Sequence, residues 1–389
     1  MKTRFSRRHF VGGAAAAVGA LGLRPDSALA ALRLPPPPPG VVPADPYDDL
    51  AKLASNENPH GPSEKMWASM DLARKYANRY GYPDGDIHEK IAEHHGMGTD
   101  NIIMNAGSGE TLRVAGIAFL GHEEKVVGVE PTYTSVYRVA SGIDADVIAR
   151  PLLPDHTQDI DDLVRVTKRN YRDVGLVYVV NPNNPTGVIV PDEDIRHLLD
   201  NIPEDIPVLI DEAYHHFIRD PRYSSAVKYI KEGRKVLVTR TFSKIYGMAG
   251  LRLGYGIAPE EMIDQMRTYA TGSVNALARW GAAAALEDPE YEKWIRDTTI
   301  ALRDATMTEL RGQGFEVIPS ECNFFMVHTG RPASEVRAEF RRRDVAVGRD
   351  FPPMLDYLRV SIGTEDEMKR FMTAWNEIFP DGMTTTGRR

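Results

Sequence analysis

The sequence reads TFSKIYGMAGLRLG from Thr241 to Gly254, close behind an apolar segment, Lys235–Thr239, that is rich in β-branched residues. Such a segment, bounded by charged residues, is typical of a buried parallel strand. Side chains at the carboxyl ends of parallel strands face the ligand crevice of an open α/β sheet. An amine at that place, here Lys244, can lose its proton through desolvation and attack a carbonyl carbon. A solvated surface lysine is the alternative interpretation, and the neighbouring motifs argue against it.

Two predicted strands upstream also end in polar residues. The segment Val177–Val180 leads into the motif Asn-Pro-Asn-Asn-Pro-Thr-Gly at residues 181–187, and Val208–Ile210 leads into Asp-Glu-Ala-Tyr at residues 211–214. The carboxyl ends of parallel strands meet at one edge of a sheet. The order of the motifs therefore brings an asparagine, an aspartate with a tyrosine, and a lysine to the same edge.

These side chains suit an aromatic aldehyde that carries a pyridine nitrogen and a phenolic oxygen. Asp211 would keep the ring nitrogen protonated, so that the ring can accept electrons from a substrate. Asn184 and Tyr214 would donate hydrogen bonds to the phenolate, and Lys244 would hold the aldehyde. Pyridoxal phosphate has these groups, and the motifs predict it as the cofactor. The alternative for the Asn, Pro and Gly residues is that they only form turns.

The chain resembles the fold-type-I pyridoxal-phosphate aminotransferases, and among them the histidinol-phosphate aminotransferase family. The likeness runs from about Leu53 to about Pro380. It rests on the Asn-Pro-x-Asn-Pro-Thr-Gly motif, the Asp-Glu-Ala-Tyr strand end and a Ser-Lys-x-x-x-x-x-Gly-x-Arg motif, in that order. The resemblance implies an α/β fold with a large, doubly wound, mostly parallel-sheet domain and a smaller α+β domain.

A Gly-Ser-Gly turn predicts the phosphate site. Residues 105–111 follow the short predicted strand Ile102–Met104 and open a helix at about Glu110. Backbone amides at a helix N-terminus favour an anion, and an arginine can grip one with two hydrogen bonds. The resemblance implies that Lys244, Asp211 and Tyr214 are catalytic. The cofactor-binding residues that it implies are Ser108, Gly109, Glu110, Tyr133, Asn184, Asp211, Tyr214, Thr241, Ser243, Lys244 and Arg252, with Tyr82 reaching the phosphate of the neighbouring subunit.

Three further residues are expected to bind the substrate. Arg359 lies inside the apolar segment 357–363, where an unpaired charge is costly, and the resemblance implies that it holds the substrate α-carboxylate. Asn56 belongs to the N-terminal active-site segment 55–62, in which His60 stands where family members often have tyrosine. Arg349 matches the arginine that holds a substrate phosphate, although the segment from it to Arg359 is shorter than in members. Surface charge is the alternative for Arg349.

The N-terminal 30 residues contain a second sequence pattern, which is independent of the site motifs. The motif Ser-Arg-Arg-His-Phe at residues 6–10 is followed by an apolar run, Val11–Leu23, and by Ala-Leu-Ala at residues 28–30. The run is too short to cross a bilayer as a helix, so the segment indicates a signal peptide and not a membrane span. We expect residues 1–30 to be a twin-arginine signal, recognised by the twin-arginine export machinery, and the enzyme to be periplasmic. A disordered basic tail is the alternative.

The sequence also predicts how the chain is divided. A Pro-rich linker follows the signal at residues 31–45. An N-terminal segment, 46–75, is expected to contribute to the small domain and the active site. The large cofactor-binding domain is expected at residues 76–280, the C-terminal small domain at 281–380 and a disordered tail at 381–389. Within the small domain we expect helices at Pro289–Gly312 and Glu365–Phe379 and strands at Phe315–Ile318, Asn323–Val327 and Leu358–Ile362.

Composition excludes several classes of function. The formal net charge of −8 argues against nucleic-acid binding. The only cysteine, Cys322, excludes an intramolecular disulfide. No metal site is expected, because the histidines are scattered and the adjacent pairs, His94–His95 and His215–His216, should point apart.

Transamination is the predicted reaction. An amino acid or a histidinol-phosphate-like amine would give its amino group to a 2-oxo acid, 2-oxoglutarate being the expected acceptor, by a ping-pong mechanism in a homodimer with shared active sites. One alternative is a related decarboxylase of the threonine-phosphate type, which would share every cofactor residue. The other is a non-catalytic exported binding protein, against which the intact Lys244, Asp211 and Arg359 argue.

Overall fold

A seven-stranded sheet lies at the centre of the larger part of the molecule. In spatial order its strands are β2 (Ile102–Asn105), β8 (Gly254–Ile257), β7 (Val236–Thr241), β6 (Val208–Asp211), β5 (Val174–Val180), β3 (Lys125–Glu130) and β4 (Asp146–Pro151). Neighbours are parallel except at β8, which is antiparallel to both β2 and β7. The strands are mostly buried and rich in Val, Leu and Ile, as expected of a parallel sheet covered on both faces.

Side chains of the central strands alternate between two hydrophobic cores. Val177 and Val179 of β5 pack into one core, whereas Leu176, Tyr178 and Val180 pack into the other. Successive residues of a strand point to opposite faces of the sheet, so each core lies between the sheet and its own layer of helices. This arrangement confirms the predicted doubly wound α/β fold.

Ten helices of the described chain accompany this sheet. They are α1 (Glu64–Ala73), α2 (Ile87–His95), α3 (Ser108–Phe119), α4 (Ser135–Gly142), α5 (Ile160–Arg169), α6 (Asp192–Asn201), α7 (Val227–Lys231), α8 (Glu260–Arg267), α9 (Ala276–Leu286) and α10 (Pro289–Gly312). Helix α10 has the predicted bounds, and the Asp288 side chain caps its N-terminus. Its residue Ile295 belongs to the first core of the sheet, whereas Met307 and Leu310 belong to the core of the smaller region.

The smaller region has its own strands and core. Its elements are β1 (Ala51–Leu53), β9 (Phe324–His328), α11 (Ala333–Arg341), β10 (Val345–Val347), β11 (Tyr357–Ser361) and α12 (Glu365–Ile378). Strands β1 and β10 are parallel, and β9 and β11 are antiparallel. The rings of Phe340, Phe371 and Trp375 pack together in the core. The predicted last helix is confirmed, with a capping box at Thr364.

The strand predicted at Phe315–Ile318 is wrong. This segment forms only one isolated bridge, between Val317 and Val327. Two backbone hydrogen bonds, from Ile318 N to Met326 O (3.0 Å) and from His328 N to Glu316 O (2.9 Å), flank that bridge. The apolar alternation in the sequence reflects burial of Phe315 and Val317 against the core, which does not require a longer ladder.

The computed structural model describes residues 47–272 and 274–383, and the chain from Leu50 onward forms one compact unit. The predicted signal at 1–30, the linker at 31–45 and residues 384–389 of the predicted tail at 381–389 lie outside the described residues, whereas Gly382 and Met383 of that tail make backbone hydrogen bonds to Phe379 O and Gln313 O. The domain bounds at 75 and 280 stay a prediction. Within the two described ranges, no helix combines the length and the apolar character needed to cross a bilayer.

Candidate active site

The carboxyl ends of β5, β6 and β7 border a cavity of about 340 Å³. Parallel pairing aligns Val180 with Asp211 and Asp211 with Thr239, so the motifs that follow these strands reach the same edge of the sheet. Most of the predicted site residues line this cavity; they are Asn56, Ser108, Gly109, Tyr133, Asn184, Asp211, Tyr214, Thr241, Ser243, Lys244, Arg252, Arg349 and Arg359. Glu110 and Tyr82 do not.

Lys244 is half-buried in the wall of this cavity. Its Nζ donates a hydrogen bond to Ser55 O at 3.1 Å and lies 5.6 Å from the centre of the Tyr214 ring. Burial lowers the pKa of Lys244 to about 8, and the positive charge of Arg359 acts in the same direction. A fraction of the amine is therefore unprotonated near neutral pH, which attack on an aldehyde requires.

Asp211, at the end of β6, is 3% exposed. Its Oδ1 accepts hydrogen bonds from Thr239 Oγ1 (3.1 Å) and from Ala213 N (3.2 Å), which fix the carboxylate. Burial raises the pKa of Asp211 to about 6, because the buried anion has lost most of its hydration. A protonated pyridine nitrogen is the kind of partner that such an anion needs, so Asp211 would hold the ring nitrogen of the predicted cofactor.

The hydroxyl of Tyr214 receives two amide hydrogen bonds. Asn56 Nδ2 donates to it at 3.1 Å and Asn184 Nδ2 donates at 3.2 Å. Burial raises the pKa of Tyr214 far above neutral pH, so the phenol keeps its proton. Since its oxygen already accepts both amide hydrogens, the hydroxyl proton is left to donate into the cavity, where it suits a phenolate oxygen of the cofactor.

The phosphate cradle combines a helix N-terminus with an arginine. Helix α3 begins at Ser108, two residues before the predicted start, after Gly107 at φ +87°. Arg252 Nη1 donates to Ala249 O (2.8 Å), and Arg252 Nη2 donates to Ala106 O (3.2 Å). A Cβ at Gly107 would lie 2.1 Å from Arg252 Nη2, so only glycine admits the guanidinium here. A Cβ at Gly109 would meet nothing within 4 Å, which leaves room for an anion at the amides.

Tyr133 stands on the loop after β3, and two further residues secure that loop. Tyr178 Oη donates to Tyr133 O at 2.9 Å. Asn183 Oδ1 accepts from Thr132 Oγ1 (2.8 Å), and Asn183 Nδ2 donates to Pro131 O (3.1 Å). Sequence analysis did not single out Asn183, because its Asn-Pro neighbourhood is typical of a turn. Its side chain in fact joins the loop of Tyr133 to the Asn-Pro-Asn-Asn-Pro-Thr-Gly loop.

Glu110 and Tyr82 lie away from the cavity. The Glu110 carboxylate accepts hydrogen bonds from Ala106 N (2.6 Å) and Thr271 Oγ1 (2.7 Å), so it holds the phosphate turn in place. The Tyr82 hydroxyl donates to Val274 O of its own chain at 2.7 Å. The predicted role of Tyr82 in a neighbouring subunit stays a prediction.

Arg359 is a buried cation without an acidic partner in the described chain. It is 7% exposed, and its guanidinium donates to Asn184 Oδ1 (2.7 Å) and Ala54 O (2.6 Å). Its buried Nε has no hydrogen-bond partner among the described residues. Burial lowers the pKa of Arg359 to about 10. The guanidinium therefore still needs an anion, and a substrate carboxylate supplies one.

Arg349 lines the cavity, whereas His60 lies outside it. Arg349 is exposed at the cavity, donates to Asp350 O (2.9 Å) and lies 4.4 Å from the centre of the Phe351 ring. Sequence analysis missed Phe351, which lines the cavity beside it. His60 does not line the cavity, and its ring packs against Trp294 at 4.8 Å.

The adjacent histidines do not point apart as expected. The ring centres of His215 and His216 are 3.7 Å apart, and those of His94 and His95 are 4.8 Å apart. His215 and His216 lie in a 3-10 helix, whose tighter turn brings successive side chains closer than a strand would. Among the residues that the structure describes, no three or more His, Cys, Asp or Glu side chains are arranged to hold a metal ion.

Comparison with known proteins shows the family of the chain. The family described as aminotransferase class I and II matches residues 48–374. The chain belongs to this family. Histidinol-phosphate aminotransferase 2 from Carboxydothermus hydrogenoformans is 35% identical over 333 residues, which are 83% of this chain and 90% of the relative.

Solved structures of other proteins share the fold of this chain. A histidinol-phosphate aminotransferase candidate from Erwinia carotovora atroseptica has a TM-score of 0.83 and 30% identity, over 87% of this chain and 98% of that one. The Sinorhizobium meliloti histidinol-phosphate aminotransferase, solved in complex with pyridoxal-5′-phosphate, has a TM-score of 0.78 and 23% identity, over 89% and 97%. The predicted fold, enzyme class and cofactor are confirmed: the chain is a pyridoxal-phosphate-dependent aminotransferase.

Proposed function

We propose that this aminotransferase moves an amino group from a histidinol-phosphate-like amine or an amino acid to a 2-oxo acid, with 2-oxoglutarate as the acceptor. The observation that carries the proposal is the buried guanidinium of Arg359 at the cavity that Lys244 also lines. An anionic group bound there would lie in the cavity of the reactive amine. The curated relatives named for histidinol phosphate support the donor class.

When bound, pyridoxal phosphate supplies an electron sink for negative charge at the substrate α-carbon. The chain supplies the rest. Asp211 holds a proton on the ring nitrogen, and Tyr214 donates its hydroxyl proton toward the phenolate oxygen. The amine of Lys244, with its lowered pKa, would take the proton from the substrate α-carbon and deliver it to the cofactor carbon C4′.

The cofactor and the substrate are positioned mainly by residues that already have fixed partners in the fold. The amides at the start of α3 and the Arg252 guanidinium bind the phosphate, and Tyr133 covers one face of the ring. Arg359 orients the substrate by its anionic group, which is the carboxylate of an amino acid or the phosphate of histidinol phosphate, because a guanidinium forks onto either anion in two parallel hydrogen bonds. The same cation serves both halves of a ping-pong reaction, since amino donor and 2-oxo acceptor present their anions in turn.

A half-reaction assay tests the proposed function. The purified holoenzyme is mixed with one amino donor at a time, including histidinol phosphate, and the absorbance of the lysine-linked cofactor is followed. We expect loss of that band with at least one donor, recovery on adding 2-oxoglutarate, and a keto or aldehyde product. Release of carbon dioxide from an amino-acid phosphate, without recovery by 2-oxoglutarate, would instead identify a decarboxylase.

The functional unit is proposed to be a homodimer. Trp67 and Leu72 on α1 and Tyr80 after it are large exposed apolar side chains, with Tyr80 fully exposed, and contact with a second subunit would remove this apolar area from water. Tyr82 lies outside the cavity of its own chain, as a residue that serves a neighbouring subunit would. Light scattering should give a dimer mass, and Tyr82→Phe should weaken cofactor binding without changing that mass.

Export through the twin-arginine route is also proposed, from the sequence of residues 1–30. This route carries folded proteins, which suits an enzyme that must take up its cofactor before it leaves the cytoplasm. Replacing Arg7 and Arg8 with lysine should leave an uncleaved, active enzyme in the cytoplasm. Cleavage and export of the double variant would favour the general secretory route, and a wild-type enzyme that stays cytoplasmic with Met1 would remove the signal altogether.

A further inference from the structure

Three ionic side chains of the cavity remain after the cofactor groups are assigned. Asp211 serves the ring nitrogen, Lys244 the aldehyde and Arg252 the phosphate, which leaves Arg349, Arg359 and Glu57. No ion pair among the described residues includes any of these three. The two arginines fit anions. Glu57 is the opposite case, an unpaired carboxylate that none of the assigned cofactor contacts uses.

The backbone of Glu57 is fixed while its side chain is not used by the fold. Asn323 Nδ2 donates to Asn56 O (3.0 Å) and to Glu57 O (3.4 Å). On the other side, Asn58 Nδ2 donates to Ile245 O at 2.8 Å. Across residues 47–272 and 274–383, no described hydrogen bond or ion pair uses the half-buried Glu57 carboxylate. Because the backbone is held on both sides of Glu57 while its carboxylate has no partner in the described chain, the carboxylate is available to a ligand.

The carboxylate acts on the reaction centre. Glu57 lines the same cavity as Lys244. The negative charge of Glu57 raises the pKa of Lys244, and it does so more strongly than the negative charge of Asp211. A partly buried carboxylate without a partner is costly. The cost is offset when a ligand brings a positive charge or an N–H group to it.

The chemistry of the ligands narrows what that group can be. Once Asp211 holds the ring nitrogen, the cofactor presents only anionic oxygens, which Glu57 would repel. A 2-oxo acid is likewise anionic. The amino donor is the remaining ligand, and it can offer a nitrogen either in its α-amine, which every donor has, or in its side chain.

We propose that Glu57 determines donor specificity by binding a nitrogen-bearing side chain of the amino donor, one that donates N–H or carries positive charge, as an imidazole ring does. This inference rests on the proposed aminotransferase function and deepens it. Arg359 and Arg349 bind anionic groups of the substrate. Glu57 selects the side chain of the amino donor by charge and hydrogen bonding. An apolar ring of the same size would leave the carboxylate unpaired.

The test compares donors with and without ring nitrogen. L-Histidine and L-phenylalanine share the α-amine and the α-carboxylate but carry an imidazole and a phenyl ring, whereas histidinol phosphate keeps the imidazole ring and the amine and has a phosphate ester in place of the carboxylate. Half-reactions of the holoenzyme give kcat/KM for each donor with wild type, Glu57→Ala and Glu57→Gln. We expect Glu57→Ala to lose roughly 10- to 100-fold with both imidazole donors, as for a lost hydrogen bond to a charged group, and less than about threefold with L-phenylalanine.

Glu57→Gln and a matched control separate charge from shape. Glutamine keeps an acceptor oxygen, so at pH 8, where imidazole is mostly neutral, it should lose less than alanine does. Glu64→Ala removes an exposed negative charge from the first turn of α1, outside the cavity, and should change no donor by more than about twofold. Both Glu57 variants should keep the wild-type melting temperature, because their carboxylate holds no part of the fold.

Several outcomes would overturn the proposal. Equal losses with L-histidine and L-phenylalanine would assign Glu57 to the α-amine or to Lys244 instead of the side chain. A wild-type enzyme that prefers L-phenylalanine to both imidazole donors, or a marked fall in melting temperature in Glu57→Ala, would also overturn it. A wild type that reacts with no donor at all is a different failure: it removes the proposed function itself, and the inference with it.

Discussion

The cofactor half and the substrate half of the cavity are built in different ways. In the cofactor half the polar groups have partners within the fold: Asp211 is fixed by Thr239 and Ala213, and Arg252 by two backbone carbonyls. In the substrate half, Arg349 and Glu57 carry charges that no described residue pairs. A resident group needs a preformed cradle, whereas exchanging substrates need open charges. The following variants break or sharpen this contrast, beginning with the largest expected effect.

Lys244→Ala should abolish turnover and remove the absorbance of the lysine-linked cofactor. Among the residues that the structure describes, no other lysine lines the cavity, so none of them can take over the role of the amine. Steady-state assays and a spectrum of the purified variant check this. A variant that kept a tenth of the wild-type turnover would show that the amine of Lys244 is not the essential one.

Asp211→Asn should keep the fold and bind cofactor, yet slow the reaction by orders of magnitude. A neutral amide cannot hold the ring nitrogen protonated, and each tenfold in rate corresponds to about 1.4 kcal/mol of activation free energy. Single-turnover proton transfer is the measurement. A loss below about tenfold would place the ring nitrogen against another residue.

Arg359→Lys should damage substrate steps more than cofactor binding, with a loss of about 2–4 kcal/mol in transition-state stabilisation. An ammonium cannot reproduce the two parallel bonds of a guanidinium to a carboxylate. The kcat/KM values of donor and acceptor, measured beside cofactor affinity, separate the two halves. Equal losses in substrate kcat/KM and in cofactor affinity would contradict the separation of the cavity into a cofactor half and a substrate half.

Acid should weaken cofactor binding through Asp211. Burial raises the pKa of Asp211 to about 6 in the free enzyme, so the carboxylate becomes protonated, and loses its ionic partner role, as the pH falls through about 6. Cofactor affinity should then fall about tenfold for one further pH unit. In Asp211→Asn this part of the pH dependence should vanish, which a cofactor titration at several pH values can decide.

Arg349→Ala should have the smallest effect. The side chain is exposed, and an exposed charge contributes about 1 kcal/mol or less, so kcat/KM for a doubly anionic substrate should fall about fivefold. Arg341→Ala, in the exposed basic run, is the matched control and should change nothing. A loss above a hundredfold in Arg349→Ala would mean that this arginine is desolvated when substrate binds.

Sequence predicted the cofactor half better than the substrate half, for a physical reason. Asp211 and Lys244 follow apolar strands whose pattern is strong, and parallel pairing then fixes where they meet. Phe351 reaches the cavity from a loop that no local pattern marks, and the active-site segment 55–62 was expected at the cavity without a role for Glu57, because its motif does not show which side chains lack partners in the fold. The strand expected at Phe315–Ile318 failed because alternating burial alone does not create a ladder.

Three buried or half-buried histidines, His95, His215 and His216, have a consequence for the stability of the enzyme in acid. Burial, followed by the charge of Arg240, lowers the pKa of each of them. Unfolded histidines titrate near 6.5, so below that pH the unfolded chain takes up protons that the folded chain refuses. The free energy of unfolding then falls by up to about 1.4 kcal/mol per pH unit for each such histidine. Acidification below about pH 6.5 therefore lowers the free energy of unfolding of the chain itself, independently of cofactor and substrate.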